Sequence, residues 1–165
     1  MAYSTAAMSA SAWPSAAVSP YRAWQAWAGQ YAAWRVSRFL TVLGEPSPSG
    51  LFAAMAGQWM DELSATGTLA GCPVAAATVD SAQAVESTRT AAAEAFACWR
   101  RPVTEALTGM GVPPGRAEAL ATLMVSALEG AILIARAERR PSALTTVALE
   151  LGPLFDGAVE RTGPR

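Results

Sequence analysis

GVPPGRAEALATLMVSALEGAILIARAERR, Gly111 to Arg140, decides the fold. It reads as one long helix from Val112 to Ala137. Pro113 and Pro114 suit a first helical turn, where a missing N–H costs nothing, and Pro141 follows soon after the end. At about 100° per residue, Leu120, Leu123, Met124, Ala127, Leu128, Ala131, Ile132, Ile134 and Ala135 cover a wide apolar arc. Glu118, Thr122, Glu129, Arg136 and Arg140 fall on one narrow polar strip. A helix on the outside of a bundle needs an apolar stripe of roughly 100°, and this arc is about twice as wide, so it asks for a partner on each flank. The chain's own core supplies one partner and a second copy of the chain the other. Burying its large apolar side chains contributes on the order of 10 to 20 kcal/mol gross, comparable with the net stability of a whole domain. The competing reading makes this the central helix of a monomeric bundle.

Outward from this stretch, every segment with a clear period is helical. Towards the C-terminus, Ser142 caps a last helix to about Val159 with the stripe Leu144, Val147, Ala148, Leu151, Leu154, Phe155 and Ala158, interrupted by Gly152-Pro153. Towards the N-terminus, Ser87 to Met110 carries Ala92, Phe96, Trp99, Val103, Leu107 and Met110 on a single face, and Pro102 predicts a kink or break near Cys98 to Arg101. Pro73 opens a short helix of small residues to about Gln83. Ser49 caps a helix from Leu51 to about Ala65 with Phe52, Met55, Trp59 and Leu63 on one face. A further helix runs from Ser19-Pro20 to about Leu43, with Trp24, Trp27, Tyr31 and Trp34 in its first half and Val36, Phe39, Leu40 and Leu43 in its second. Met1 to Ser19, rich in Ala, Ser and Pro, buries too little to offset its ordering entropy and is expected to be disordered. The fold class is all-α, a bundle of about six helices occupying residues 20–165.

Composition excludes several functions. The chain of 165 residues has 12 arginines, no lysine, no histidine and no asparagine, an imbalance that fits a bias toward GC-rich codons. Net charge is −1 and the arginines are scattered, so no basic face is available to replace counterions on nucleic-acid phosphates. Without histidine there is no His-based general base, and Cys72 and Cys98 give neither metal-ligand spacing nor a disulfide framework. No cofactor, metal or catalytic residue is expected, and two lone thiols fit a reducing cytoplasm. The best membrane candidate, Ala119 to Ala135, is short, rich in alanine and carries Glu129, so soluble burial is expected, and the N-terminus lacks the basic and apolar regions of a signal peptide. Two residues keep alternatives open. Cys72, at a helix N-terminus, is either an activated thiolate or a buried inert thiol. Glu129 is either solvated or a buried polar anchor for a ligand.

The order of pieces resembles the C-terminal effector and dimerisation domain of TetR-family transcriptional regulators of the LmrA/YxaF-like type. The matching residues are Ala70-Gly71-Cys72-Pro73-Val74, Phe96 with Trp99, Gly111-Val112-Pro113-Pro114, and Ala127-Leu128-Glu129-Gly130-Ala131 through Ala137. Coverage runs from about Trp34 to Phe155. The resemblance implies a domain whose last two long helices form a four-helix bundle with a second subunit, while the others enclose a pocket for a small, mostly apolar effector. Carried onto this chain, it places homodimer contacts on Leu128, Ile132, Ala135, Leu144, Val147, Leu151 and Leu154. Pocket lining falls on Trp59, Leu63, Phe96, Trp99 and Met124, with Cys72 at the rim.

Regulators of this family begin with roughly fifty residues that contain a helix-turn-helix, whose recognition helix enters the major groove. Its recognisable pieces are not found in residues 1–33, so this chain is expected to sense and pair without its own DNA reader. An alternative stays open, a helical pairing module without a ligand that forms mixed dimers with a full-length regulator.

Overall fold

The computed structural model describes residues 46–67, 71–81 and 85–159. Those residues form five helices and no strand: α1 Pro48–Thr66, α2 Pro73–Ser81, α3 Glu86–Gly109, α4 Pro114–Glu138 and α5 Ser142–Asp156. The expected disordered segment and the first aromatic-rich helix lie outside the described residues.

Local chemistry sets the boundaries. Ser47, not Ser49, caps α1: its hydroxyl oxygen accepts from the Gly50 N–H at 3.0 Å, and Pro48 takes the first helical position. Ser49 lies one step inside and donates its backbone N–H to Asp156 Oδ1 at 2.9 Å, which ties the start of α1 to the end of α5. That carboxylate sits where unpaired N–H groups and the positive end of the dipole welcome it. α1 closes on Gly67, left-handed at φ 70, whose N–H returns to the Leu63 carbonyl at 2.8 Å.

Both internal prolines are accommodated. α3 runs through Pro102 and α5 through Pro153 without a break in either helix. Each proline removes one helical hydrogen bond, and tertiary packing on both sides of it holds the turns in place. α5 ends at Asp156 and not near Val159. Ser142 opens α5 without capping it, because its hydroxyl donates instead to Glu138 Oε2 at 3.1 Å, across the turn.

Two cores result. The larger one joins α1, α3, α4 and α5 through Leu51, Phe52, Leu107, Leu120, Met124, Ile132, Leu144 and Phe155, with the Phe52 and Phe155 rings edge to face at 5.0 Å. The smaller one joins α2 to the first half of α3 through Cys72, Val74, Ala92 and Ala95, with Phe96 and Trp99 packed against it. α3 therefore serves both: its first half faces α2 and its second half, Val103 to Leu107, enters the large core. By length and composition α4 could cross a bilayer. Here it is packed by α1, α3 and α5 along a buried face running from Ala117 to Ala135, as the core helix of a bundle is.

Candidate functional site

α4 divides its circumference into three. Leu120, Met124, Leu128, Ala131, Ile132 and Ala135 point into the large core. On a second side Thr122, Val125, Ser126 and Glu129 form one wall of a cleft of about 440 Å³, whose other wall is Ala93, Phe96 and Arg100 of α3. On the third side, Leu123, Ala127, Gly130 and Ile134 recur at spacings of four, three and four, so they share one face. Leu123 and Ile134 are 37% and 51% exposed, and Leu133 beside them is 57% exposed.

Glu129 is the chemically unusual group. The sequence puts it on the same strip as the exposed Glu118 and Arg136, yet its carboxylate is partly buried and Oε2 has no hydrogen-bond partner. Burial raises its pKa above the ordinary carboxylate range, and the neighbouring Cys72 thiol acts in the opposite direction. Helical periodicity alone could not separate Glu129 from Arg136, because the segment leading into α2 covers only part of that strip. The signal available in the sequence was a lone carboxylate within the apolar run, which left a solvated group and a buried polar anchor both open.

Cys72 is a buried free thiol at the start of α2, and its sulfur accepts from the Ala75 N–H at 3.3 Å. Burial pushes the thiol up to about 12, the Ala75 contact opposes this, and the Glu129 charge adds to the rise. The thiol form is thus the stable one, and of the two roles left open for Cys72 the geometry fits the inert thiol.

The expected pocket residues separate into groups. Phe96 lines the cleft. Trp99 stands behind it, its ring edge to face with Phe96 at 5.7 Å, and Cys72 lies in the same small core. Trp59, Leu63 and Met124 belong to the large core, with Met124 wholly buried there. The residues expected to pair two subunits also separate. Leu128, Ile132, Ala135 and Leu144 are inside this chain's own core, Val147 and Leu151 are half-buried, and Leu154 is exposed at 43%. The arc on α4 is as wide as its sequence implies, but the flank turned inward is the one carrying Ile132, and the flank left open carries Leu123 and Ile134.

Comparison with known proteins places this arrangement among the C-terminal helical domains of transcriptional regulators. Residues 48–150 match the C-terminal domain of the LmrA/YxaF-like transcriptional regulators, and the chain belongs to that branch of the TetR family. Two curated relatives, each named as an uncharacterized HTH-type transcriptional regulator, come from Mycobacterium tuberculosis strains CDC 1551 / Oshkosh and ATCC 25618 / H37Rv. Each is 36% identical over 110 residues, covering 64% of this chain and 57% of the relative, so the match spans little more than half of each relative's length. No solved structure matches the chain.

Proposed function

We propose that this domain is the effector-sensing and dimerisation unit of a cytoplasmic TetR-family repressor. A small, mostly apolar effector enters the cleft between α3 and α4, and a second copy of the chain covers the open apolar face of α4 together with Leu154 of α5. The observation that carries this reading is the double use of α4, which walls the cleft on one side and leaves Leu123 and Ile134 uncovered on another. A helix held by a ligand on one side and a twin on the other transmits occupancy to the spacing of the two subunits, because any shift of α4 moves both contacts. The effector changes DNA affinity only to the extent that it binds one spacing better than the other. Contact with DNA belongs to another part of such a regulator.

The cleft favours this reading over a pairing module without a ligand, since a helix that only pairs has no use for an open space on its other side. Pairing is tested by light scattering on the double variant Leu123→Glu with Ile134→Glu. Both positions are already exposed, so the fold is kept while charges of like sign face each other across the two-fold axis. The expected result is a halved mass with unchanged helix content, and a mass equal to that of the unaltered chain would overturn the assignment.

A further inference from the structure

The effector reading, on which this inference rests, leaves open what kind of molecule the cleft takes, and Glu129 narrows it. Oε2 of Glu129 is buried without a partner, and among the described residues no ion pair joins this carboxylate to Arg100, the cation that shares the cleft. A carboxylate removed from water with only the neutral Cys72 thiol beside it is costly, and a charged donor restores roughly twice what a neutral one does. The last torsion of a glutamate is soft, so a small rotation turns Oε2 toward the space it borders. Across that space Phe96 supplies an aromatic ring whose orientation is held by Trp99 at 5.7 Å, and Ala93 and Val125 supply apolar wall. The Thr122 hydroxyl is already committed to the Glu118 carbonyl at 3.0 Å, so it does not compete for Glu129.

We propose that the cleft binds a small organic cation, a protonated amine carried on a flat aromatic body, with its ammonium on Glu129 and its ring against Phe96 and Val125. Arg100 repels the ammonium and so confines it to the Glu129 end, while its own half-buried stem extends the apolar wall. An aromatic face beside the carboxylate adds a second attraction for the same charge.

Three probes with one ring system and different charge test this: tryptamine, indole-3-ethanol and indole-3-acetate, each titrated calorimetrically into the full chain at neutral pH. Tryptamine is expected to bind about tenfold more tightly than indole-3-ethanol, and Glu129→Gln, nearly isosteric, to remove that preference with helix content unchanged. Equal affinities for the two, or a preference that survives Glu129→Gln, would overturn the cation assignment and leave the effector site standing. Tightest binding of indole-3-acetate would also overturn it, by moving the anchor to Arg100, and no binding of any probe would remove both the cation and the effector readings. Should Glu129→Gln fail to fold, Ser126→Arg places a built-in cation one turn away on the exposed wall. Loss of the tryptamine preference there supports the proposal and its retention refutes it.

Discussion

Glu129 is the residue at which stability and binding meet. Because burial raises its pKa, the folded chain holds the Glu129 proton to higher pH than the unfolded chain does. From about pH 4.3, where an unfolded glutamate titrates, up to the raised folded value, the folded state binds more protons, so this group's contribution to stability falls as pH rises. Cys72 remains a thiol throughout that interval, and Arg100 shares the cleft in both proteins compared. The melting temperature of Glu129→Gln minus that of the unaltered chain should therefore be greatest near pH 7 and shrink steadily towards pH 4. A difference that grows on acidification would show that the carboxylate is better solvated than its geometry implies. Gly71 offers a second test at this scale. It is left-handed at φ 79, and an added Cβ would lie 2.9 Å from Arg136 Nη1. The arginine tip can move but the backbone strain stays, so Gly71→Ala should cost about 1 to 2 kcal/mol, read as a lower melting temperature.

Among the elements, the helix ends separate what the sequence discloses from what it hides. Pro48, Pro73 and Pro114 all stand at helix starts, and the apolar positions of α3 fall on the face its spacing implies, because proline stereochemistry and helical period act locally. The two serines that disappointed as caps did so through distant or competing partners. Ser49 yields the cap to Ser47 and, inside the helix, gives its N–H to Asp156 of another helix, while Ser142 spends its hydroxyl on Glu138. Glu129 eluded periodicity for the same kind of reason, since the start of α2 that shields it comes from far along the chain. At the far end of α4, Arg139 takes the left-handed conformation at φ 54 that glycine adopts without strain. Its N–H returns to the Ala135 carbonyl, a bond that glycine also makes. Arg139→Gly should therefore stabilise the chain by about 1 kcal/mol, and a chemical-denaturation midpoint that does not rise would contradict it.

For the whole molecule, the decisive contrast lies between the two flanks of α4. Ile132, which the family resemblance placed against the twin, is 1% exposed and packed in this chain's own core. An aspartate there is an unpaired charge inside a single subunit, costing several kcal/mol out of a stability that is commonly ~5 to 15 kcal/mol. Ile132→Asp should therefore abolish the helical circular-dichroism signal or its cooperative melting, whereas the Leu123 and Ile134 double variant should keep both and lose only mass. A folded, half-mass Ile132→Asp protein would place the interface on the opposite flank from the one argued here. The unaltered chain provides an independent check, because a fold coupled to association melts at a temperature that rises with protein concentration. Over a hundredfold range of concentration the unaltered chain should show that rise and the double variant should not. A flat melting temperature in both would mean that α4 keeps its outer face in water and that the domain works singly.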